Sequence, residues 1–410
     1  MNSQVLPADL QACATIFTNH FHPPGPALWK GTDRSDRKIR VGYVSGEFRE
    51  QATAYLTAGL YECHDRSKFE VVAFDNGDRT DSPMRRRLES AFDRCLPISH
   101  LSDQAAAKKI VSEEIDILVN LNGYFGNHRM GVFAQKPAPV QVNYLGFPGT
   151  LGADYMDYIL ADRFVIPHDE RQYYTEKVIY LPASYQVNDF RRHLPRVTPR
   201  RSENQLPETG FIFCDFNMGY KFTPAMFAIW MRILKQVEGS VLWLLESNTV
   251  APNNLRSEAE RHGVAGERLI FAPFVAMEHQ LDRLQLADLF LDSVPCNAHT
   301  TASDALWAGV PLLTCCGTTF SGRVAASLLH AVGLPELVTT NLADYESLAI
   351  KLANGPALLQ TIRQKLARNR QTASLFDTDR HRRHLEIAYE RMWETFQRGE
   401  DPQNFDVAPV

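Results

Sequence analysis

Short apolar segments rich in β-branched and aromatic residues alternate along the chain with longer segments of helical periodicity. In the first half the pattern predicts strands at Ile39–Ser45, Phe69–Asp75, Ile115–Asn120 and Val140–Leu145, and helices at Pro83–Cys95 and Ser102–Glu114. The second half predicts strands at Phe211–Asn217, Ser240–Glu246, Leu269–Ala272, Leu289–Ser293 and Leu312–Cys315, again with helices between them. Such alternation is typical of parallel sheets with crossover helices, so two α/β halves are predicted.

A polar and basic segment, residues 191–210, separates the two halves. It contains three prolines and no apolar periodicity, which indicates a linker. The predicted division is an N-terminal arm at 1–37, doubly wound domains at 38–203 and 204–380, and a C-terminal helix and tail at 381–410. The C-terminal helix is long and amphipathic, so it could pack on either half. Doubly wound domains bind ligands at the carboxyl ends of their strands, so the loops after the strands are predicted to line a central cleft.

Composition narrows the class of protein. The 410 residues are 44% hydrophobic and 22% charged, which is ordinary globular material, and a net charge of −5 argues against nucleic-acid binding. Local basic runs at 85–87, 200–201 and 382–383 are interpreted as solvated surfaces. Seven scattered cysteines without a CxxC indicate neither a disulfide framework nor a zinc site, and most are expected to be reduced and buried. The sequence shows no signal peptide and no apolar stretch near the ~18–20 residues of a membrane span, so a cytoplasmic protein without membrane contact is predicted.

The stretch PCNAHTTASDALWAGVP, residues 295–311, follows a predicted strand and opens a helix. Thr301 and Asp304 have nearly the spacing of a capping box, so a self-capped helix start explains them as well as a binding role does. With His299 and Thr300 beside free backbone amides and the positive end of a helix dipole, the same start suits a diphosphate. Asp304 would then accept hydrogen bonds from ribose hydroxyls.

Two further loops of the second half carry candidate phosphate ligands. Lys221, after the predicted strand Phe211–Asn217, is typical of a solvated surface but is also the natural cation to neutralise a leaving pyrophosphate. The loop Gly317–Thr319 repeats the strand-to-helix arrangement, and Arg323 after it is either a surface residue or a second charge near the phosphates. No acidic pair in a loop marks a divalent-ion site, so a reaction without a metal is predicted.

The first half offers three strand-to-helix or strand-end loops. VGYVSGEFREQATAYL, residues 41–56, contains a Ser-Gly turn, and NYLGFPGTLGADYMDYILAD, residues 143–162, contains a glycine-rich turn in which Gly149 and Thr150 are candidate donor-binding residues. Glycine permits close approach to a ligand, although a tight turn explains it equally well. The third loop, residues 120–139, includes His128, which suits a surface position better than a catalytic one.

Taken together, these stretches resemble the catalytic region of the O-GlcNAc transferase and SPINDLY family of protein glycosyltransferases. The resemblance covers about residues 38–398 and rests on RVGYVSGEF, IDILVNLNGY, KPAPVQVNYLGFPGT, MDYILAD, YTEKVIYLP, FCDFNMGYK, SVLWLLE, NAHTTASDALWAGVP and GRVAASLL. It implies a GT-B fold, in which two Rossmann-like doubly wound domains face a central cleft. The first domain would be the acceptor side, and the second would bind the nucleotide sugar without a metal.

The resemblance also implies roles for particular residues. Lys221 takes the place of the pyrophosphate-binding lysine, His299, Thr300 and Thr301 match the phosphate-binding His-Thr-Thr, and Asp304 matches the ribose-binding acid. Asn217 belongs to the FN…YK motif, in which Met218 departs from a polar residue of the animal enzyme. The base-recognition segment, residues 271–279, also diverges, so the base is less well defined than the phosphate site.

A second departure concerns the catalytic base. Where the animal enzyme carries a histidine after the first strand, this chain has Gln51, and glutamine does not act as a general base. Glu47, Asp116, His128 and the donor's own phosphate are the alternatives. The tetratricopeptide array of the family is not found in this sequence.

The sequence thus predicts an inverting, metal-independent glycosyltransferase with no cofactor beyond its nucleotide-sugar donor, UDP-GlcNAc first, and a polypeptide Ser/Thr acceptor. Transfer of glucose from UDP-glucose to Asn and of fucose from GDP-fucose are the alternatives within the class. A non-catalytic nucleotide-sugar sensor and a glycosyltransferase acting on sugars or small molecules are the alternatives outside it. The oligomeric state is left open.

Overall fold

The computed structural model describes residues 5–31, 37–78, 80–194 and 199–410. The strands in these ranges are β1 (Ile39–Ser45), β2 (Phe69–Asp75), β3 (Arg94–Pro97), β4 (Ile117–Asn120), β5 (Val140–Asn143), β6 (Tyr158–Ala161), β7 (Lys177–Tyr180), β8 (Ile212–Asp215), β9 (Val241–Leu245), β10 (Leu269–Ala272), β11 (Leu289–Leu291), β12 (Leu312–Cys315), β13 (Val338–Thr339) and β14 (Phe405–Asp406). The α-helices are α1 (Pro7–Phe21), α2 (Ala52–Cys63), α3 (Pro83–Ala91), α4 (Asp103–Ser112), α5 (Met130–Phe133), α6 (Pro224–Gln236), α7 (Ala251–Arg261), α8 (Met277–Leu284), α9 (Thr300–Ala308), α10 (Val324–Ala331), α11 (Leu342–Asn354), α12 (Pro356–Asn369) and α13 (Thr378–Gln397).

The chain folds into two compact units. The first comprises residues 1–191, 318–320 and 374–410, and the second comprises 192–317 and 321–373. The sequence placed the boundary near residue 203 and set the C-terminal helix apart, whereas the structure assigns α13 and β14 to the first unit. Part of the predicted arm (1–4 and 32–36) and part of the predicted linker (195–198) lie outside the described residues.

The first unit is built on an eight-stranded parallel sheet in the order β14-β7-β6-β5-β4-β1-β2-β3. Both faces of this sheet are buried, since alternate residues of one strand belong to different apolar clusters: Val71 and Ala73 to one, Val72 and Phe74 to the other. Helix α13 covers the first of these faces with Tyr389 and Met392 among its buried side chains. The long apolar runs in the sequence therefore mark strands that are covered on both sides.

The second unit is a six-stranded sheet in the order β10-β9-β8-β11-β12-β13, with parallel pairing throughout. The order reverses direction between β8 and β11, as it does between β1 and β4 in the first unit. These reversals are the switch points at which doubly wound sheets bind ligands. The predicted class, two α/β units with parallel sheets, is confirmed.

Several local expectations are corrected. The predicted helix 83–95 ends at Ala91, and its last residues form β3. In the basic run 85–87, Arg85 is buried and donates to Asp75 Oδ2 at 2.6 Å, so the run is not a purely solvated surface. All seven cysteines are free thiols, but only Cys214 and Cys315 are buried. Among the described residues, no helix has the length and apolar character needed to cross a bilayer.

Candidate active site

The switch point of the second unit gathers most of the residues singled out in the sequence. Asn217 and Lys221 follow β8, and Asp292, Asn297 and His299 follow the neighbouring strand β11. Parallel strands bring their carboxyl ends to one edge of the sheet, and this shared edge explains why two segments about 75 residues apart in sequence meet here.

Lys221 is held by two acceptors. Its Nζ donates to the Asn297 carbonyl oxygen at 2.6 Å and to Asn217 Oδ1 at 3.4 Å. Thr301 Oγ1 donates to the same Asn217 oxygen at 2.8 Å. These two bonds fix the position of the ammonium group, and the Cys296 thiol also lies within its hydrogen-bonding reach.

The N-terminus of α9 differs in detail from the predicted capping box. The N-cap is His299, not Thr301, and no side chain caps the helix. Thr301 is the second helical residue and uses its hydroxyl on Asn217 instead. The first turn therefore keeps unsatisfied backbone N–H groups and its positive dipole end, which is the arrangement that favours an anion.

His299 is neutral at physiological pH. Burial and the charge of Lys221 lower its pKa to about 3. Its Nε2 donates to the Ser321 carbonyl oxygen at 3.1 Å, an oxygen that also accepts from the Asn297 amide at 2.9 Å. This carbonyl ties the loop preceding α9 to the loop preceding α10, so the two predicted phosphate loops are neighbours. Thr300 is partly exposed at the first helical position, and Arg323 is the partly exposed N-cap of α10.

Two buried carboxyl groups lie beneath this cluster. Asp292 Oδ1 accepts from the amides of Ser293 and Ala298, and Oδ2 accepts from Thr314 Oγ1 at 2.6 Å. Burial raises the pKa of Asp292 to about 7 and raises that of Asp215 well above its ordinary value. Asp292 therefore fixes the loop whose Asn297 carbonyl holds Lys221.

Asp304 is buried and paired with a residue that the sequence analysis did not consider. The Nη2 of Arg192 donates to Asp304 Oδ1. Burial raises the pKa of Asp304, and the charge of Arg192 opposes that shift. Asp304 lies on α9 three residues after Thr301, so both side chains are on one face of the helix.

The switch point of the first unit brings Glu47 beside the loop after β4. Gly46 donates its amide to Asn122 Oδ1 at 2.9 Å, and a β-carbon at Gly126 would lie 2.7 Å from Glu47 Oε1. Glu47 is only 4% exposed, and burial raises its pKa while Arg49, 3.8 Å away, opposes the shift. The carboxyl group thus lies at the carboxyl end of β1 in a partly desolvated setting.

Gln51 and His128 also belong to this end of the sheet. Gln51 is the N-cap of α2 but makes no side-chain capping bond. His128 is half-buried next to the rings of His22 and Tyr124, with centroids 5.4 and 5.9 Å away, and burial lowers its pKa. His128 therefore does not occupy the exposed surface position that the sequence favoured.

Asp116, proposed as a base, has a structural environment instead. It precedes β4 at the amino end of the sheet, opposite the edge where Glu47 lies. Its oxygens accept from the Arg40 amide at 2.8 Å and from Arg37 Nη2 at 3.3 Å. As an alternative for the catalytic base, Asp116 is thus less well placed than Glu47.

Thr150, proposed as a donor contact, uses its hydroxyl within the protein. It donates to Glu176 Oε2 at 2.6 Å, and Glu176 Oε1 accepts from the Leu151 amide at 2.8 Å. Gly149 accepts from Asn143 Nδ2 through its carbonyl at 3.1 Å, and a β-carbon there would meet only Phe147, at 3.5 Å. Glu176 thus holds this loop in place. Among the described residues, no group of three or more His, Cys, Asp or Glu side chains has a metal-binding arrangement.

Sequence reasoning missed Asp292, Asn297 and Arg192. Asp292 directly follows an apolar strand, a signal that could have been used. Asn297 acts through its backbone carbonyl, which any residue carries, and Arg192 looked like one more charge of a basic linker.

The family model described as "Glycosyl transferase family 41" matches residues 18–201 and 196–385. The chain belongs to glycosyl transferase family 41. A curated relative from Arabidopsis thaliana, named probable UDP-N-acetylglucosamine–peptide N-acetylglucosaminyltransferase SEC, is 38% identical over 393 residues, 94% of this chain and 40% of the relative. One from Caenorhabditis elegans, named UDP-N-acetylglucosamine–peptide N-acetylglucosaminyltransferase, is 26% identical over 89% of this chain and 42% of the relative. The family 41 chain thus spans about two fifths of the length of these two curated relatives.

Solved structures agree with the family 41 assignment. A mutant of the Thermobaculum terrenum O-GlcNAc transferase superposes with a TM-score of 0.88 at 31% identity, covering 97% of this chain and 76% of that one. Anabaena HepE in complex with UDP has a TM-score of 0.56 at 15% identity over 87% of this chain and 100% of its own, a likeness of fold alone. The GT-B class and the resemblance to the O-GlcNAc transferase and SPINDLY family are confirmed.

Proposed function

We propose that this family 41 chain transfers N-acetylglucosamine from UDP-N-acetylglucosamine to Ser or Thr hydroxyls of a polypeptide, with inversion and without a metal ion. The names of its relatives support the donor and the acceptor class. The observation that carries the proposal is the cluster at the second switch point, where Lys221 and Thr301 share the Asn217 oxygen beside the uncapped start of α9. We propose further that the protein works in a reducing, cytoplasmic compartment, which its free thiols support.

In the proposed reaction the acceptor oxygen attacks the anomeric carbon as the bond to the β-phosphate oxygen breaks. The bonding electron pair leaves with UDP, and the negative charge grows on the phosphate. The ammonium group of Lys221 and the free amides of α9 stabilise that charge more in the transition state than in the ground state. In this mechanism these donors take the role that a divalent cation fills in metal-dependent transferases.

In this proposal Glu47 is the general base that removes the proton from the acceptor hydroxyl. Its burial and raised pKa make it a better base near neutral pH than an ordinary carboxylate. Asp116 is engaged at the other end of its strand, and Gln51 has no basic atom of suitable pKa. His128, with a lowered pKa, is the second choice.

The test incubates the protein with a peptide library and, in parallel, with each of three donors: UDP-N-acetylglucosamine, UDP-glucose and GDP-fucose. Mass spectrometry of the peptides then measures sugar transfer. With the first donor we expect Ser or Thr of the peptide to gain the mass of one N-acetylhexosamine residue. Lys221→Met should reduce the rate by about 10²–10³, the usual cost of one transition-state donor, with the melting temperature little changed. Lys235→Met, at an exposed lysine of α6, is the matched control.

Other outcomes of this test would replace the proposal. Glucose on Asn or fucose from GDP-fucose would change the donor, and binding of UDP without any transfer would indicate a sensor. If the Lys221→Met protein transfers at the wild-type rate, the phosphate cluster, formed by Lys221, Asn217 and Thr301 at the start of α9, has no part in the mechanism.

A further inference from the structure

Arg192 is a buried arginine with unused hydrogen-bond donors. Its exposure is 8%, and its Nη2 donates to Asp304 Oδ1 and lies 4.0 Å from Met277 Sδ. In the part of the chain that the structure describes, the Nε and Nη1 atoms of this guanidinium have no hydrogen-bond partner. Buried N–H groups nearly always have a partner, so two unused donors on one buried cation need an explanation.

The ion pair with Asp304 does not supply that explanation. Two buried charges offset their desolvation only when the remaining protons and lone pairs are also hydrogen-bonded. Asp304 is 4% exposed, and Arg192 contacts only one of its two oxygens. The pair therefore presents donors on one side and a carboxylate acceptor on the other.

This combination matches a particular chemical group. A hydroxyl both donates and accepts, and two neighbouring hydroxyls on a sugar ring need an acceptor and a donor together. A carboxylate accepts their protons, while a guanidinium N–H donates to their oxygens, in charge-assisted bonds.

The position of the pair along α9 agrees with such a ligand. Asp304 lies one helical turn beyond Thr301 on the same face, a rise of about 4.5 Å along the axis. Thr301 belongs to the phosphate cluster around Lys221 and Asn217. A nucleoside diphosphate with its phosphates at the helix start would have its ribose near Asp304.

We propose that Arg192 binds the ribose of the nucleotide donor, donating to a ribose hydroxyl oxygen while it holds Asp304 in position to accept from that diol. The assignment deepens the proposed function and rests on it for the identity of the ligand. It is independent of the base, because UDP and GDP carry the same ribose.

The experiment compares calorimetric Kd values of UDP with those of 2′-deoxy-UDP and 3′-deoxy-UDP, for wild type and for Arg192→Met. Wild type should bind at least one deoxy form about tenfold more weakly than UDP, the usual effect of losing a charge-assisted hydrogen bond. In Arg192→Met, that ratio should fall about fivefold or more, and UDP itself should bind about 10- to 100-fold more weakly. Arg191→Met is the matched control, because this neighbouring arginine is exposed and pairs with Glu62; its ratio should equal that of wild type.

The ratio is taken within each variant, so a partly unfolded preparation does not distort it. Should thermal melting show that Arg192→Met is unfolded, Arg192→Lys decides, because it retains the charge beside Asp304 but loses the Nε donor and the planar fork. A ratio unchanged in the folded variant would overturn the role of Arg192 and leave the proposed transfer standing. UDP binding that shows the expected ratios without sugar transfer would leave Arg192 assigned and refute the proposed function, and no binding of UDP or GDP by wild type would overturn both.

Discussion

Burial determines the charge on the side chains around the candidate phosphate cluster. His299 is neutral at physiological pH because its pKa is lowered to about 3, and Asp292 is only partly ionised near neutrality because its pKa is raised to about 7. The carboxyl groups below Lys221 therefore cancel less of its positive charge than their number suggests. This residual charge is what a diphosphate would meet.

The raised pKa of Asp292 has a measurable effect on stability. Its pKa in the unfolded chain is about 3.9, so the folded state binds the proton more tightly. Stability should fall as pH rises from about 4 to 7, by at most roughly 4 kcal/mol from this one group. Asp292→Asn keeps an oxygen for the Ser293 and Ala298 amides but removes this titration, so the fall in melting temperature with rising pH should be smaller in the variant than in wild type.

The control for this measurement is Glu267→Gln, at an exposed carboxylate of the same unit. Its pH dependence should match that of wild type. A slope in Asp292→Asn equal to that of wild type would show that Asp292 does not titrate in this range.

Glu47→Gln tests the assigned base. Removing a general base costs about 10²–10⁴ in rate, so kcat should fall by at least about 10². Because the raised pKa of Glu47 places its deprotonation above the range of an ordinary carboxylate, activity of wild type should fall as pH drops through that value, and the variant should lack this limb. Glu50→Gln, at an exposed residue of the same loop, should keep both rate and profile. Initial rates of sugar transfer to a peptide at several pH values measure this. If the Glu47→Gln rate is within about threefold of the wild-type rate, another group is the general base.

The sequence was informative about side chains that meet at strand ends and uninformative about partners supplied by the fold. Lys221 and Thr301 were predicted because they lie in loops and helix starts that follow strands, and Asn217 was named through the family motif; the sheet order brings the three together. Arg192 was not predicted, since nothing in Arg191-Arg192 distinguishes an exposed arginine from a buried one. Asp116 was named as an alternative base although it lies near the start of its predicted strand, at the edge of the sheet opposite Glu47.

The loops after β4 and β5 are packed backbone against backbone. A β-carbon at Gly146 would lie 1.9 Å from the Leu121 carbonyl oxygen, while one at Gly149 would meet only Phe147, at 3.5 Å. Helix α1 braces the same region, since Thr18 Oγ1 and Tyr124 OH both donate to the Leu151 carbonyl. The shape of this part of the first unit thus depends on one glycine of the pair.

Gly146→Ala and Gly149→Ala form a matched pair of substitutions. Overpacking costs about 1–3 kcal/mol, so Gly146→Ala should lower the melting temperature by about 2–12 °C in a unit of this size. Gly149→Ala should melt within about 1–2 °C of wild type, because the space beside it is open. Thermal denaturation followed by circular dichroism measures both. Equal melting temperatures would contradict the packing described for Gly146.

Elements were predictable where the sequence forms a distinct apolar run. The strands corresponding to β1, β2, β10 and β12 were predicted with their observed bounds, because each is an apolar, mostly buried run. Strand β3 was hidden in a helical pattern, and β14 has only two residues. The start of α9 was misassigned because Thr301 hydrogen-bonds to Asn217 across the sheet edge, a tertiary contact that local spacing does not reveal.

The first unit is assembled from segments that lie on either side of the second unit in the sequence. Helix α13 contributes Tyr389, whose hydroxyl lies 3.1 Å from that of Tyr43, and His381, whose Nε2 lies 2.9 Å from Tyr144 OH. Strand β14 pairs with β7 at the edge of the sheet. The sequence left open which half the last helix packs on, because an amphipathic pattern shows which face is buried but not what that face contacts.

Residues 1–191 alone should therefore not fold. Without α13 one face of the sheet, including Val41, Val119 and Val142, would be exposed to water. The same segment joined by a flexible linker to residues 374–410 should regain cooperative thermal unfolding. Circular dichroism melting of both proteins measures this, and a cooperative transition in 1–191 alone would contradict the role given to α13.

This arrangement sets an order for events on the ribosome. Residues 1–191 are synthesised before the second unit, yet the helix and edge strand that complete their sheet are synthesised after it. The nascent chain therefore carries an open, apolar sheet face through the synthesis of the second unit, and this face is exposed to chaperones until residues 374–410 have been made.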